Sequence, residues 1–416
     1  TDRSLQTEPN RVYEVTAAAG AEPVVLLLPA LLAAGDTVEV RGLGTGDWRL
    51  GQNPGQSITT AGLPGNNATG AAWTARLAPQ PWWWVASDRS GSVLVAAANQ
   101  GALHVSRDAG DTWDASTSPP VQRWDSVAMT PSGEKMVAVA YNGWMYISED
   151  TGRSWRQVPN PQPNPNGDTE RPQWQSAAIS HDGLVIAAPV YGGRIYVSTD
   201  GGLSFTARGE VRQWRGVAMS GDGRRMVGAA DSDQIYVSDD GGMTWTARRQ
   251  GAWYRAAASA DGQVMAAAER FNGSLVLSRD GGQTWAAAAL DGTALVGNWT
   301  TVAVSDDGQR IVASRDSGLV MTDDGGVSWR VLTPPALPAG ATGTWRSVAM
   351  SGDGHMLAAA TGYIDTPGQL YTSRSNRTVT GISGGLAGGQ GDAVQVRHTG
   401  EGRFEIVDWS GTLEIR

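Results

Sequence analysis

The sequence of 416 residues has no cysteine, a single lysine and four histidines that lie far apart. Without cysteine there are no disulfides and no thiolate metal sites, and the histidines form no close-set ligand motif. We therefore expect no metal and no cofactor. A basic run is missing as well, and the net charge of −9 argues against nucleic acid or an anionic membrane as the main partner.

Long hydrophobic runs are also missing. The most apolar stretch, residues 23–34, is too short to span a bilayer and contains Pro29. It is interpreted as a buried strand and turn, and no membrane insertion is expected. The sequence begins at Thr1, without methionine and without a basic-then-apolar leader. Either a signal peptide has been removed or the start was trimmed, and we expect an exported protein, secreted or on the cell surface.

Glycine is abundant, with 55 residues, and much of it belongs to a repeated pattern, Ser/Thr-x-Asp-x-Gly-x-Thr/Ser-aromatic. The clearest copy occupies residues 238–245. Six copies follow one another at about forty residues, and their aspartates are Asp108, Asp150, Asp200, Asp240, Asp280 and Asp324. A repeat of this length that carries one hairpin motif predicts a propeller or an array of similar units.

A second landmark, out of phase with the first, is a tryptophan followed by small residues and a glycine turn. It occurs seven times, at Trp82, Trp124, Trp174, Trp214, Trp253, Trp299 and Trp345. Each copy begins a unit in which we predict four strands. Small residues dominate the first strand of each unit, as expected where seven strands crowd around an axis.

The seventh unit lacks both the aspartate pattern and a fourth strand. Residues 73–82 closely match residues 245–253, which contain the fourth strand of another unit. We therefore predict that residues 71–78 supply the missing strand by pairing with residues 369–373. Such a pairing closes the ring of units with both ends of the chain.

The resulting fold prediction is all-β, with two parts. Residues 71–376 are predicted to form a seven-bladed β-propeller closed by an N-terminal strand. Because the chain enters and leaves this propeller at the same blade, the two chain ends meet. Their strand signals predict one small β-domain, with residues 1–66 as its N-terminal half and residues 377–416 as its C-terminal half.

The repeated pattern resembles the Asp-box, also called the bacterial neuraminidase repeat, over about residues 71–376. This repeat occurs in sialidases, xyloglucan-degrading enzymes, sortilin-type receptors and photosystem II assembly factors. The resemblance implies a β-propeller in which each box is the hairpin between the third and fourth strands of a blade. In that role the aspartate accepts hydrogen bonds from turn amides, the glycine adopts a conformation that other residues resist, and the aromatic residue packs beneath.

The six box aspartates could also be read as catalytic or calcium sites. The hairpin role, however, accounts for every repeated position. The family also places these turns on the face opposite its active sites. We therefore assign the box aspartates a structural role and look for a ligand on the other face.

The seven tryptophans follow the loops between units, so we predict that they form a ring on that other face. The arginine candidates beside them are Arg123, Arg171, Arg212, Arg255 and Arg346. Aromatic rings with guanidinium groups suit a sugar, through stacking, or an anionic ligand. The alternative is that each tryptophan fills the gap between neighbouring blades while an arginine covers it.

One loop between units, residues 159–173, is long and rich in proline and asparagine, and it adds Asp168 and Glu170 to the candidates. Insertions confined to one face are where repeat proteins usually bind ligands. A neutral insertion is an equally good interpretation of this loop.

No catalytic group of residues stands out. The Arg-Ile-Pro start motif of sialidases is absent, because Arg194-Ile195 continues to Tyr196, and nothing identifies a Tyr–Glu pair. We expect an exported, non-enzymatic binding or structural protein, with a ligand face for a glycan or a partner protein and a terminal β-domain for attachment or self-association. One alternative is a glycan-active hydrolase of the sialidase-like propeller type. Another is an assembly factor that binds a partner protein through its Arg-rich face.

Overall fold

The computed structural model describes residues 4–60, 69–159, 171–334, 344–362, 366–374, 378, 382, 384–400 and 402–415. These residues form strands and turns without any helix, as the all-β prediction requires, and so contain no helix that could cross a membrane. The chain divides into two compact units, Thr1–Ala72 with Arg374–Arg416, and Trp73–Ser373.

The larger unit consists of groups of four antiparallel strands, which we number as sheets 1 to 7 in chain order. Sheet 1 contains Trp82–Ser87, Leu94–Ala98, Leu103–Ser106 and Asp114–Ala115. Sheet 2 contains Trp124–Met129, Met136–Ala140, Met145–Ser148 and Arg156–Gln157. Sheet 3 contains Ala178–Ile179, Ile186–Pro189, Tyr191–Ser198 and the first half of Thr206–Met219. The second half of that long strand begins sheet 4, which continues with Met226–Ala230, Asp233–Ser238 and Thr246–Gly251.

The remaining sheets repeat the same order of strands. Sheet 5 contains Trp253–Ala258, Met265–Glu269, Gly273–Ser278 and Ala286–Ala287, with Val296–Gly297 also paired to its third strand. A short hairpin of Ala289–Leu290 and Thr293–Ala294 follows it. Sheet 6 contains Trp299–Val304, Ile311–Arg315, Gly318–Thr322 and Arg330–Leu332. Sheet 7 contains Trp345–Met350, Met356–Thr361, Gly368–Arg374 and Thr74–Gln80.

The fourth strand of sheet 7 comes from the opposite end of the unit. Thr74–Gln80 lies antiparallel to Gly368–Arg374, with Thr74 opposite Thr372 and Gln80 opposite Gly368. The Gln369 side chain adds to this pairing by donating a hydrogen bond to the Arg76 carbonyl oxygen at 2.6 Å. The predicted pairing of the strand before the repeats with the last sheet is confirmed.

The second strand of each sheet shows why these sheets need no alternation of polar and apolar residues. Met136–Ala140 and Met226–Ala230 are continuous runs of small or apolar residues, and every residue in them is buried. Because both faces of such a strand are covered, neither face requires polar side chains. The hydrophobic cores therefore lie between successive sheets, as in the cluster that joins Val95 of sheet 1 to Ala138 of sheet 2.

The turns between the first and second strands are joined in series by backbone hydrogen bonds of 2.7–3.2 Å. Each bond runs from an N–H in one turn to a carbonyl oxygen in another: His181 to Gly221, Gly221 to Ala260, Ala260 to Asp306, Asp306 to Gly352, Gly352 to Arg89, and Arg89 to Pro131. The series thus passes through sheets 3, 4, 5, 6, 7, 1 and 2 in that order. Pro131 has no N–H and cannot donate a further bond to continue it.

The turns between the third and fourth strands contain the repeated aspartates. In sheet 4, Asp240 Oδ1 accepts hydrogen bonds from Ser238 Oγ at 2.7 Å and from the Thr244 N–H at 2.9 Å. Its Oδ2 accepts one from Thr244 Oγ1 at 2.6 Å. Ser238 Oγ in turn accepts a bond from the Gly242 N–H, and Trp245 Nε1 donates to the Gly242 carbonyl oxygen. The aspartate therefore ties together both sides of the hairpin.

The same contacts recur at the other five boxes, as the sequence predicted. At each one, the aspartate accepts hydrogen bonds from a hydroxyl two residues earlier and from the amide and hydroxyl four residues later. Burial raises the pKa of Asp240, but the bonds from Thr244 and Ser238 outweigh it and lower that pKa to about 2. The oxygens of these carboxylates already accept hydrogen bonds from their own turns, which supports a structural role for the box aspartates.

The smaller unit contains two five-stranded sheets, each built from both ends of the chain. In order across the sheet, one contains Ser4–Gln6, Val24–Leu27, Trp48–Gly51, Gly385–Gly388 and Glu414–Ile415. The other contains Arg11–Val15, Thr37–Gly42, Ala393–Gly400, Arg403–Ser410 and Ser57–Thr59. Leu50 lies opposite Leu386 in the first sheet, and Val40 lies opposite Val394 in the second. All four side chains belong to one hydrophobic core.

Candidate functional site

The seven tryptophans that begin the sheets are buried rather than displayed. Their exposed fractions are 0% for Trp82, Trp124, Trp214 and Trp253, 1% for Trp299, 2% for Trp174 and 8% for Trp345. Several indole N–H groups donate to backbone carbonyl oxygens, for example from Trp124 to Gly101 and from Trp214 to Glu210. A ring buried to this extent cannot stack on a ligand. The prediction of a tryptophan ligand face is therefore corrected, and the gap-filling alternative accounts for these residues.

The residue that follows each tryptophan is placed differently. In six sheets, the pairing between the first and second strands shifts register directly after the tryptophan. Such a bulge leaves one residue unpaired and redirects its side chain, and bulges of this kind are frequent beside functional sites. The residues at this position are Trp83, Asp125, Arg215, Tyr254, Thr300 and Arg346, and Gln175 follows the tryptophan of sheet 3. Unlike the tryptophans, they differ from sheet to sheet.

Trp83 lies between two of the predicted arginines. The guanidinium carbon of Arg346 is 3.8 Å from the centre of an indole ring of Trp83, and that of Arg123 is 5.5 Å away. Arg123 also lies over the ring of Tyr141, at 4.2 Å. Sheets 1, 2 and 7 thus bring together two cations and two aromatic rings in the favourable cation–π arrangement.

A second group of contacts continues this arrangement through sheets 3, 4 and 5. Arg215 lies over the Tyr191 ring at 4.0 Å and pairs with Asp231, Nη2 to Oδ2, at 3.0 Å. Arg270 lies 3.7 Å from the same carboxylate oxygen and stacks on Tyr254 at 4.7 Å. One carboxylate therefore holds two guanidinium groups, each of which also covers an aromatic ring.

Arg255 extends the second group to sheet 1. Only 5% of it is exposed, and its Nη1 donates hydrogen bonds to the carbonyl oxygens of Gln175, at 2.9 Å, and Arg215. Its guanidinium carbon lies 5.0 Å from the ring of Trp84 and 4.5 Å from that of Tyr254. This one side chain of sheet 5 thus contacts sheets 1, 3 and 4.

We call these residues the aromatic–arginine cluster, comprising Trp83, Arg123, Asp125, Tyr141, Tyr191, Arg215, Asp231, Tyr254, Arg255, Arg270 and Arg346. Five guanidinium groups face two carboxylates in it, so three positive charges are in excess within a chain of net charge −9. Its electrostatic field therefore favours an anionic ligand.

Asp125 is the buried carboxylate of the cluster, with 4% of it exposed. Burial raises its pKa, while the guanidinium groups of Arg255, Arg123, Arg346 and Arg215 act to lower it. Three atoms here, Asp125 Oδ1, Arg123 Nε and Arg255 Nε, are buried and have no hydrogen-bond partner among the described residues. Buried polar groups without partners are rare in folded proteins. Arg123 Nε and Asp125 Oδ1 lie 3.7 Å apart as an ion pair, so these two charges are paired without a short hydrogen bond.

The BNR/Asp-box repeat family matches residues 236–247, which span the third strand and hairpin of sheet 4. The six hairpins share the aspartate contacts of this matched copy, and the sheets follow one another along the chain with one strand order. The chain contains a BNR/Asp-box β-propeller. In its fold it is similar to sialidase-like proteins and to the solved structures that follow.

Two solved structures resemble this propeller. One is "YCF48 bound to D1 peptide", with a TM-score of 0.53 and 15% sequence identity over 74% of this chain and 99% of that chain. The other is "YCF48 from Cyanidioschyzon merolae", with a TM-score of 0.54 and 16% identity over 73% of this chain and 99% of that chain. At these identities the likeness shows the fold alone. The chain matches no curated protein.

Sequence reasoning located part of the cluster on this propeller. Of the predicted arginines, Arg123, Arg255 and Arg346 belong to it. Arg171 is exposed and lies 5.9 Å from a Trp144 ring instead. Arg212 lines a groove of about 570 Å³. Asp168 and Glu170 lie outside the described residues.

Arg212 lies outside the cluster because other side chains hold its guanidinium. Its Nη1 pairs with Asp233 and its Nη2 with Glu210, each at 2.7 Å, and its guanidinium stacks on Tyr236 at 4.4 Å. Two carboxylates already neutralise it. The bulged residues Trp83, Asp125 and Tyr254 were not predicted, because the constant tryptophan before each of them was interpreted as the residue that faces a ligand. Their variation from unit to unit, directly beside a constant residue, is the signal that could have identified them.

Proposed function

We propose that the seven sheets are the blades of one closed propeller, which binds an acidic segment of a partner protein at the aromatic–arginine cluster. Closure is supported by the pairing of Thr74–Gln80 with Gly368–Arg374 and by the series of hydrogen bonds through all seven turns. On this arrangement Arg255 lies near the axis, because a side chain of blade 5 reaches blades 1, 3 and 4.

The contact pattern of Arg255 is the observation that carries this proposal. Together with the charge interaction between Arg255 and Asp125, it makes the cluster one continuous cationic region shared by several blades rather than a set of separate ion pairs. Guanidinium groups form short, directed hydrogen bonds with carboxylates, and the partly exposed rings of Tyr141, Tyr191 and Tyr254 provide flat apolar contact area, whereas Trp83 is buried. An extended polypeptide with several carboxylates presents complementary charge along its length. A glycan with one carboxylate would use a smaller part of the surface.

The solved YCF48 structure that carries a D1 peptide supports a peptide ligand on this fold. Because its sequence identity to this chain is 15%, the position and chemistry of the ligand here are argued from the cluster itself. We accordingly favour the interpretation as an assembly or binding protein over that of a hydrolase. The two carboxylates of the cluster, Asp125 and Asp231, lie beside arginines at 3.7 Å and 3.0 Å and are not placed as a free acid and base.

The test uses fluorescein-labelled decapeptides of glycine and serine that contain four glutamates, with a matched peptide that contains four glutamines. Fluorescence anisotropy measures the Kd of each for the full chain. The cluster variant is Arg123→Gln with Arg346→Gln. The control variant, Arg224→Gln with Arg248→Gln, removes the same net charge from two exposed arginines outside the cluster.

We expect the glutamate peptide to bind the unmodified chain more tightly than the glutamine peptide, and binding to weaken as salt is raised. The cluster variant should lose at least roughly tenfold in affinity, because two charge-assisted contacts are removed. The control variant should change Kd by less than about twofold. Equal Kd values for the two peptides, or an equal loss in both variants, would overturn the proposal.

We further propose that the smaller unit is a terminal β-domain through which copies of the chain associate. Its strand Ser4–Gln6 is exposed at the edge of a sheet, and such an edge offers unpaired backbone groups to another chain. Light scattering that showed a strict monomer at high protein concentration would contradict this. Export of the protein stays a prediction from the sequence.

A further inference from the structure

Phe271 occupies a backbone position that its counterparts in other blades fill with small or polar residues. Five blades share a turn between the second and third strands that begins with a residue whose N–H donates to the carbonyl oxygen of the residue directly before the buried tryptophan. The residue after it has a positive φ: 51° at Gln100, 50° at Asn142, 69° at Gly192, 55° at Ser232 and 56° at Phe271. Left-handed backbone is favourable for glycine and tolerable for asparagine, and it is costly for a bulky side chain.

Burial of the Phe271 side chain does not compensate for this cost. Phe271 is 70% exposed, so its ring contributes little burial. Asn272, the next residue, is also left-handed, with φ of 57°. A costly backbone conformation that holds an exposed apolar ring is an outlier from which a functional role is reasonably inferred.

Phe271 is also continuous with the aromatic–arginine cluster. The guanidinium of Arg270 lies 4.8 Å from the Phe271 ring and 4.7 Å from the Tyr254 ring. The same guanidinium is anchored by Asp231 at 3.7 Å. The left-handed turn therefore holds an apolar ring at the margin of a cationic surface.

We propose that the Phe271 ring is the apolar contact site for the acidic segment. It packs against a leucine-like side chain of that segment, which lies next to the carboxylates of the same segment. This inference rests on the proposed function, because the segment is the one bound at the cluster. Burying the exposed ring against an apolar side chain gives a favourable free energy only in the complex, and it excludes water from the neighbouring charge contacts. The recognised chemistry is thus a polypeptide that combines carboxylates with an apolar residue at a fixed spacing.

The experiment uses an array of glycine/serine decapeptides with four glutamates, in which a single leucine is placed at each remaining position in turn. The all-serine parent peptide is the reference. Binding is measured for the full chain, for Phe271→Asn and for Ser232→Asn. The last variant is the matched control, because Ser232 occupies the same left-handed position in blade 4.

We expect one leucine position to raise the affinity of the unmodified chain roughly tenfold over the parent peptide, as burial of part of one apolar side chain predicts. Phe271→Asn should remove this preference and retain the affinity for the parent, while Ser232→Asn should keep both. Phe271→Asn should also unfold at the same or a higher temperature than the unmodified chain, because asparagine tolerates the left-handed conformation better.

A flat leucine profile for the unmodified chain, with glutamate-dependent binding intact, would overturn this inference and leave the proposed function standing. Failure of every glutamate peptide to bind would overturn both. A Tm several degrees lower for Phe271→Asn would show that Phe271 supports the fold and would likewise overturn the inference.

Discussion

Replacing Asp240 with alanine tests whether the box aspartates stabilise their hairpins or bind a ligand. Asp240 accepts hydrogen bonds from Ser238 Oγ, the Thr244 N–H and Thr244 Oγ1, at 2.6–2.9 Å. Alanine removes all three acceptor contacts and leaves the Thr244 amide and both hydroxyls to water. We therefore expect a loss of stability without a loss of peptide binding at the aromatic–arginine cluster.

The magnitude follows from the number and exposure of these bonds. A hydrogen bond to a charged group contributes about 1.5–3 kcal/mol when it is shielded from water. This carboxylate is exposed, so solvent screening reduces the contribution to about a third of that, which gives about 2 kcal/mol for three bonds. For a cooperative unit of about 300 residues, the unfolding entropy converts this loss into a decrease in Tm of about 3 °C.

The pH dependence provides an independent check. The folded-state pKa of Asp240, about 2, lies below its ordinary value of 3.8. Stability from the carboxylate is therefore fully present above pH 3.8 and is lost as pH falls towards 2. The Tm difference between the unmodified chain and Asp240→Ala should be constant near neutral pH and should shrink within that acidic window.

Calorimetry of three variants completes the test. Asp280 has the same partners in blade 5, so Asp280→Ala should cost as much as Asp240→Ala, and the double variant should show the sum within about 0.5 kcal/mol. An unchanged Tm for Asp240→Ala would refute the structural assignment. A Tm difference that persisted undiminished at pH 2 would refute the hydrogen-bond explanation.

Two further predictions concern the fold. Gly228→Ala places a methyl group 2.8 Å from the Trp214 ring and 3.2 Å from the Trp245 ring. This overpacking should destabilise the chain by about 1–3 kcal/mol. A urea midpoint equal to that of the unmodified chain would contradict this prediction. Asp150 has a folded pKa of about 2, because bonds from Ser154 and Ser148 outweigh the effect of burial, and the pKa of Asp200 is likewise lowered. The free energy of unfolding should therefore decrease as pH is lowered from 4 to 2. A urea midpoint that stays constant over this pH range would show that the boxes do not stabilise the native state.

Local pattern was sufficient to predict the hairpins and the strand that closes the last sheet. Each box contains its own hydrogen-bond donors and acceptors within eight residues, so its geometry depends little on the rest of the chain. The match between residues 73–82 and 245–253 likewise identified an unpaired strand, and Thr74–Gln80 pairs with Gly368–Arg374. In both cases the determining interactions involve residues that repeat along the sequence.

The candidate site was predicted only in part, because its contacts are not local. The tryptophans that recur in every unit were expected to line a ligand face, yet all seven are buried. Arg123 and Arg346 were among the predicted residues, and their relation to Trp83 depends on sheets that are distant in sequence. Arg212, which has the same sequence context, is neutralised by Glu210 and Asp233. Sequence spacing cannot distinguish these cases.

By itself, the sequence determined that this chain is a repetitive all-β protein with hairpins tied by aspartate, because those hairpins are stabilised within short segments. The tertiary structure alone decided which side chains meet. The register shift after six of the seven tryptophans turns the tryptophan into the core and its variable neighbour towards the other blades. Arg255 then meets residues of three other blades. The physical reason is that the site is assembled from residues of several sheets that are distant in sequence, and its chemistry is set by contacts between those sheets.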